Sequence, residues 1–249
     1  DSLPSAAGKI WGMKEEGDKL YAATGPGWDD AELGWHHCPP GMGIYQSVTV
    51  EARPALHLSD VFVRPLLDEQ RAEIWIEVFN SALQPEKTSF TVSVFGQNFP
   101  ATLFRNRVFE STQQAGPRVN SYRFAIDIPS PRVWDTDTPW LYQVQITLPN
   151  GDTMTRQFGM RSFRMDTVVK PHGRLFLNGR EIRLRGANTM GFEQQNVMRR
   201  DFGQLRDDIL LAKICHMNFL RLTQRPVQPE VYELCDQLGL MPQTDLQLF

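Results

Sequence analysis

Several stretches in the middle of the chain alternate between apolar and polar residues. In AEIWIEVFN, for example, Ile74, Ile76 and Val78 alternate with Glu and Trp. The same period of two recurs in SFTVSVFG, NSYRFAIDIP and LYQVQITLPNG, and turn-forming Gly, Pro and Asn residues separate the runs. This period predicts antiparallel strands with one buried face. About seven short strands between residues 54 and 165 are typical of a two-sheet, immunoglobulin-like sandwich.

The pattern changes after residue 165. RLFLNGREIRLRG contains two strand-like runs around Asn178-Gly179, a pair that tolerates the positive φ angles of a tight hairpin turn. DFGQLRDDILLAKICHM has helical spacing, with Asp201 as the expected N-cap and Asn218 as the expected stop. Two apolar rows are expected to form one wide buried stripe: Leu205, Ile209 and Ala212, and Leu210, Ile214 and Met217.

The remaining C-terminal segment alternates strand and helix. FLRLT is a short strand, and PEVYELCDQLG is a helix with Pro229 in its first turn and Gly239 just past its end. LMPQTDLQLF is a third strand, weakened by Pro242. This order predicts right-handed βαβ units and a parallel sheet.

Composition, charge and cysteine count argue against several classes of protein. The chain has 41% hydrophobic residues and a formal net charge of -3, so charge gives no case for nucleic-acid binding. No apolar run approaches the ~20 residues that cross a bilayer, so no membrane partner is expected. No signal peptide is visible, which leaves the compartment open. Cys38, Cys215 and Cys235 are too few and too scattered for a disulfide framework.

The order of the stretches resembles glycoside hydrolase family 2, which contains β-galactosidases, β-glucuronidases and β-mannosidases. LFLNGREIRLRGAN, DDILLAKICHMNFLRLTQRP and VYELCDQLGL carry the resemblance, together with WHHCPPGMGIYQSVTVEARP, VWDTDTPWLYQVQITL and RQFGMRSF. It implies a mainly β chain in which residues 1–53 are the tail end of an N-terminal jelly-roll sugar-binding domain. Residues 54–165 would be the immunoglobulin-like β-sandwich, and residues 166–249 the first βαβαβ units of a (β/α)8 TIM barrel.

The resemblance also implies a site. Such barrels carry working residues at the carboxyl ends of their strands. It places Arg221, at the end of FLRLT, in the floor of a carbohydrate site, with Asn188 after the first barrel strand and Asp245 after the third. Some relatives carry calcium, magnesium or sodium sites, but nothing in this sequence supports a metal site or a cofactor. The residues that follow each strand differ from those that β-galactosidases often carry, so the resemblance implies the reaction but not the sugar.

The catalytic carboxyl groups of this family are missing from the sequence. Retaining hydrolysis of a glycoside needs two of them about 5 Å apart. The family supplies the acid/base from an Asn-Glu pair after strand four and the nucleophile from a Glu after strand seven. This chain has no Asn-Glu pair and ends near strand three. We therefore expect a fragment of a retaining β-glycosidase that is inactive by itself. The alternative is a non-catalytic sandwich module that binds carbohydrate or protein.

Other polar residues favour structural interpretations. Asp207 and Asp208 are adjacent on a helix and therefore point in different directions. Glu193, in the loop after the first barrel strand, is expected to be a solvated carboxylate. The sequence His36-His37-Cys38 has no partner cluster at metal-ligand spacing.

Two tryptophans could in principle stack on a sugar ring. Trp134 and Trp140 are expected to pack in a core or against a neighbouring domain rather than to stack on sugar.

Three barrel strands by themselves leave one parallel edge unpaired. Residues 166–249 are therefore expected to be poorly ordered, packed onto the sandwich, or paired with another copy in a homo-oligomer.

Overall fold

The computed structural model describes residues 13–16, 19–22, 48–189, 193, 196–197, 199–223 and 226–246. The chain divides into two compact units. The sandwich unit comprises Val50–Leu184 and Asp236–Gly239. The parallel-sheet unit comprises Asp1–Thr49, Arg185–Cys235 and Leu240–Phe249.

Little of the N-terminal segment can be compared with the sequence-based expectations. Strands β1 (Met13–Glu16) and β2 (Lys19–Ala22) form an antiparallel hairpin. His36, His37 and Cys38 lie outside the described residues. The alternation of apolar and polar residues in IYQSVTVEA predicts a strand at 44–52. This prediction is wrong over its described part, because residues 48–52 have no regular structure.

Seven antiparallel strands form two sheets in the sandwich unit. They are β3 (Leu56–Leu66), β4 (Arg71–Asn80), β5 (Ser89–Gly96), β6 (Thr102–Glu110), β7 (Arg118–Asp127), β8 (Tyr142–Thr147) and β9 (Thr153–Phe158). One sheet has the order β3-β4-β7 and the other the order β6-β5-β8-β9. The immunoglobulin-like sandwich expected from the alternating pattern is confirmed.

The core of the sandwich is built from the alternating apolar positions. Ile74, Ile76 and Val78 of β4 are buried, whereas Trp75 and Glu77 between them are exposed. Residues from both sheets join one apolar cluster, and the ring centroids of Phe90 and Tyr122 lie 5.0 Å apart within it. Burial of each large apolar side chain stabilises the fold by about 1.5–3 kcal/mol.

A small antiparallel sheet follows the sandwich strands and confirms the expected hairpin. It has the order β10 (Phe163–Asp166), β11 (Arg174–Leu177) and β12 (Arg180–Ile182). Asn178 and Gly179 take φ angles of 51° and 77° between β11 and β12. The Asn178 side chain accepts from the Ser162 amide at 2.9 Å and donates to the Trp134 carbonyl oxygen at 2.9 Å. The turn is therefore fixed to its surroundings as well as formed locally.

The parallel sheet contains three strands and is flanked in sequence by two helices. Its order is β13 (Gly186–Thr189), β14 (Phe219–Leu222) and β15 (Met241–Thr244). Helix α1 (Phe202–Ile214) lies between β13 and β14, and helix α2 (Pro229–Leu238) connects β14 to β15. Glu193, Asn196 and Val197, which precede α1, are also helical, so the expectation that Glu193 lies in a loop was wrong. Strand, helix, strand, helix, strand is the order that the sequence predicts.

Helix α1 confirms one apolar row and contradicts the other. Asp201 is the N-cap, because its carboxylate accepts from the Gln204 amide at 2.9 Å. The first row, Leu205, Ile209 and Ala212, is buried. In the second row Leu210 and Ile214 are 38% and 63% exposed, so the prediction of a single buried stripe was wrong. At 100° per residue the second row lies about 120–180° around the helix from Leu205, on the opposite side.

The end of helix α1 also differs from the expected one. The helix ends at Ile214 rather than at Asn218, and His216 takes the positive φ angle of 58° that follows the helix. Asn218 instead bonds to Arg185 in both directions. Its side-chain Oδ1 accepts from the backbone amide of Arg185 at 2.8 Å, and its backbone amide donates to the Arg185 carbonyl oxygen at 2.9 Å. Asn218 therefore fixes the start of β14 beside the segment that leads into β13.

Candidate functional site

The candidate site lies at the carboxyl ends of the three parallel strands. Asn188 of β13 is the register partner of Arg221 in β14, and Arg221 is the register partner of Gln243 in β15. Register partners in neighbouring strands project from the same face of a sheet. Leu220 and Leu222 are buried on the opposite face, which leaves Arg221 on the more exposed one. The alternation of buried and less buried residues along FLRLT therefore places Arg221 on the face of the sheet that carries the candidate site.

Arg221 and Asp245 form a bidentate ion pair. Arg221 donates from Nε to Asp245 Oδ1 at 3.1 Å and from Nη2 to Oδ2 at 2.6 Å. The Asp245 amide donates to the Leu222 carbonyl oxygen at 3.2 Å, so the ladder extends one residue past β15 and holds the carboxylate beside β14. The Arg221 side chain is 39% exposed and that of Asp245 17% exposed. Two parallel charge-assisted hydrogen bonds fix the orientation of the guanidinium.

Hydroxyl groups hold the backbone around this pair. The Thr189 and Thr223 hydroxyls donate to the Arg221 carbonyl oxygen at 3.3 and 3.4 Å. The Tyr232 hydroxyl of α2 lies 2.9 Å from the Thr244 hydroxyl at the end of β15. These hydroxyl groups therefore join the end of β13 to that of β14, and the end of β15 to helix α2.

The structure brings together two of the three residues that the sequence singled out and places the third beside them. Arg221 and Asp245 are bonded directly. Asn188 is exposed and adjacent in register to Arg221.

Glu193 corrects a prediction made from the sequence. It was expected to be a solvated loop carboxylate, but its side chain is 0% exposed and neither carboxylate oxygen has a hydrogen-bond partner among the described residues. Burial raises the pKa of Glu193, and the nearby charge of Asp208 adds to this rise. Sequence reasoning had no signal for this burial, because the neighbouring residues follow no clear periodicity.

Asp207 and Asp208 do not act as a pair. The Asp207 carboxylate is bonded to its neighbour Arg206 at 3.1 Å. The Asp208 carboxylate accepts from the side-chain amides of Asn196 (Nδ2, 2.7 Å) and Gln204 (Nε2, 2.6 Å). The two groups have different partners, as their adjacent positions on a helix predict.

The two tryptophans pack within the sandwich unit. Trp134 is 1% exposed, and its Nε1 donates to the Asp236 carbonyl oxygen at 2.7 Å. The Trp140 ring meets that of Phe99 edge to face, and the Arg132 guanidinium lies 4.6 Å from its centroid. Packing, rather than stacking on a ligand, is what the sequence predicts for both.

The described residues contain neither a cluster of metal-ligating side chains nor a membrane-spanning helix. Within these ranges no three His, Cys, Asp or Glu side chains come together in a group that could hold a metal ion. None of the described helices is long and apolar enough to cross a membrane.

Family comparisons agree with this architecture. The model of glycosyl hydrolases family 2 matches residues 56–161, and the model of that family's TIM barrel domain matches residues 168–245. Together the two matches cover most of the chain, in the order of the sandwich followed by the parallel sheet. The chain belongs to glycosyl hydrolase family 2.

Individual curated relatives and solved structures are similar to this chain, and the solved structures share its fold. A β-galactosidase of Alteromonas mediterranea is 25% identical over 96% of this chain and 23% of its own length. Among solved structures, a β-galacturonidase from Eisenbergiella tayi aligns with a TM-score of 0.62 at 22% identity, covering 78% of this chain and 33% of its own. A β-glucuronidase of Bacteroides uniformis aligns with a TM-score of 0.60 at 23% identity, covering 78% and 24%. The chain spans about a fifth of the length of the curated relatives it matches.

Proposed function

We propose that the full-length protein containing this chain is a retaining β-glycosidase, with Arg221, Asn188 and Asp245 in the floor of its substrate site. The family match across the sandwich and the parallel sheet carries this proposal. The position of the bidentate Arg221–Asp245 pair at the carboxyl ends of barrel strands supports it, because barrel enzymes place their working residues at that end.

Three properties suit these side chains to a sugar. Arg221 is held in one orientation yet is 39% exposed, so it can donate to a ligand without a large loss of conformational entropy. Asn188 is an exposed amide that can both donate and accept. Both side chains project from one face of the sheet, at the spacing of neighbouring strands. Sugar hydroxyls need both donors and acceptors at such spacing.

This chain is proposed to bind and position the sugar rather than to cleave it. The two glutamates of retaining chemistry follow later barrel strands in the family, and the sequence contains no Asn-Glu pair. The described residues provide the Arg221–Asp245 pair at the strand ends, and Asp245 is bonded there to a cation rather than to a second carboxyl group.

A panel of aryl β-glycosides tests the proposal. The full-length protein and this 249-residue chain are assayed in parallel on galactoside, glucoside, mannoside and glucuronide substrates. We expect turnover by the full-length protein and none by the chain. Silence from the full-length protein on every substrate would favour a non-catalytic binding module instead.

A further inference from the structure

The carboxyl group of Glu193 is buried without a partner that would compensate its charge. Its side chain is 0% exposed, and neither Oε1 nor Oε2 has a hydrogen-bond partner among the described residues. Because an isolated carboxylate is costly to bury, proteins neutralise such a group with a proton, a cationic side chain or a metal ion. Glu193 is already fully buried in this chain, so further residues of the protein could only add to its burial.

A second carboxylate and a side-chain amide lie beside Glu193. Glu193 and Asn196 are both helical and three residues apart, so their side chains lie on the same face of a helical turn. Asn196 Nδ2 donates to Asp208 Oδ2 at 2.7 Å, which brings helix α1 to that face. The negative charge of Asp208 contributes to the raised pKa of Glu193, so the two carboxyl groups are near neighbours. The three side chains therefore converge from two helical segments.

The oxygen atoms of these side chains have lone pairs left for a ligand. Both oxygens of Glu193 are without a partner among the described residues. Asp208 accepts one bond on each oxygen, from Asn196 Nδ2 at 2.7 Å and from Gln204 Nε2 at 2.6 Å, and a carboxylate offers about four acceptor positions. Since Asn196 donates through Nδ2, its Oδ1 remains as an acceptor. The two amide bonds also fix the orientation of the Asp208 carboxylate.

Two carboxylates and an amide oxygen match the ligand preference of a hard divalent cation. A glutamate with two free oxygens suits calcium, which accepts bidentate carboxylates and side-chain carbonyl oxygens in flexible geometry. Magnesium demands nearly ideal octahedral geometry and keeps several of its waters, which a fully buried carboxylate accommodates poorly. The group contains no histidine and no cysteine, the ligands that favour zinc.

We propose that Glu193, Asp208 and Asn196 bind a calcium ion that joins the segment before helix α1 to the helix itself. The two carboxylates balance the charge of the ion. The site has two acidic side chains rather than three, and its other ligands are neutral oxygens. It uses neither member of the Arg221–Asp245 pair, and the inference does not depend on the proposed glycosidase function.

Calcium binding by the chelator-treated full-length protein tests the inference. Isothermal titration with calcium chloride compares wild type with Glu193→Gln, which keeps the size of the side chain but removes its charge and one oxygen ligand. We expect the variant to lose one equivalent of bound calcium or to bind it about 10-fold more weakly or worse, since even indirect partners of a metal are worth this much. Any calcium bound elsewhere is the same in both proteins. Equal stoichiometry and affinity, or no binding by wild type, would overturn the inference.

A second variant and a matched control complete the test. Asp208→Asn should also weaken calcium binding, and it decides the question if Glu193→Gln does not fold. Glu77→Gln, on the exposed face of β4, removes the same charge elsewhere and should leave calcium binding unchanged. Tighter binding of magnesium than of calcium would overturn the assignment of the ion. Without calcium a proton neutralises Glu193 instead, so measurements of its titration require a chelator.

Discussion

Gly159 lies directly against the side chain of Trp134. A Cβ atom at position 159 would fall 2.7 Å from Cβ and 2.9 Å from Cγ of Trp134. The Trp134 amide donates to the Met160 carbonyl oxygen at 2.9 Å, which holds the two segments at this separation. Since Trp134 is 1% exposed, its ring has no solvent into which it could move. Only a glycine fits at position 159.

The first prediction concerns this contact. Gly159→Ala should destabilise the protein by about 1–3 kcal/mol or more, because the added methyl group overpacks a closed site. Equilibrium unfolding in urea measures the change. Gly116→Ala is the control. The atom nearest to a Cβ added at position 116 would be 3.7 Å away, so this substitution should be neutral or slightly stabilising. Equal effects of the two substitutions would contradict the packing argument.

Two buried tyrosines should respond in opposite ways to loss of the hydroxyl group. The Tyr122 hydroxyl is buried without a hydrogen-bond partner among the described residues, whereas the Tyr142 hydroxyl accepts from the Arg132 amide at 2.8 Å. Tyr122→Phe should therefore be neutral or stabilising, and Tyr142→Phe should cost about 1–3 kcal/mol by leaving the amide unpaired. Thermal unfolding of the two variants measures the change in stability. A larger loss of stability for Tyr122→Phe than for Tyr142→Phe would contradict this interpretation of the core.

The sequence predicts the sandwich well because burial there follows a period of two. Ile74, Ile76 and Val78 alternate cleanly with outward residues, and all three are buried. Strand β6 carries no such signal: TLFRNRVFE has Arg and Asn at its centre and no fully buried residue, so the apolar pattern does not mark it. What identifies β6 is its pairing with β5, and pairing is a long-range property.

The candidate site is predicted less completely. Position at a strand end and family resemblance identify Arg221 and Asp245, but their bidentate contact needs the register of β14 and β15. Two errors have a common cause. Leu210 is apolar yet exposed, and Glu193 is charged yet buried, because tertiary contacts rather than local composition decide which side of a segment is covered.

The third prediction concerns the energy of the Arg221–Asp245 pair. A double-mutant cycle with Arg221→Met and Asp245→Asn should give a coupling energy of about 1–3 kcal/mol in urea unfolding, because the pair is bidentate and partly buried. The exposed pair Arg156–Asp60, joined by one contact at 3.3 Å, is the matched comparison and should couple by under about 1 kcal/mol. Similar values for both pairs would mean that the strand-end geometry adds no stability.

The last prediction uses the buried carboxyl group of Glu193. Burial raises its pKa above the ordinary value of 4.5, so the native state binds the proton more tightly than the unfolded chain does. Below pH 4.5 both states are protonated, and the contribution to stability is fully present. As the pH rises, the unfolded chain ionises first and stability falls, until the pH has passed the native pKa and the contribution is lost.

Glu193→Gln removes this titration while keeping the size of the side chain. The free energy of unfolding of Glu193→Gln minus that of wild type should increase between about pH 4 and pH 8, because only the wild-type protein has to bury a charge at the upper end. Urea unfolding at several pH values gives the difference. Glu77→Gln, on the exposed face of β4, controls for the loss of one negative charge. A difference that stays flat across this range would mean that Glu193 is solvated or paired with a cation in solution, contrary to its burial in the structure.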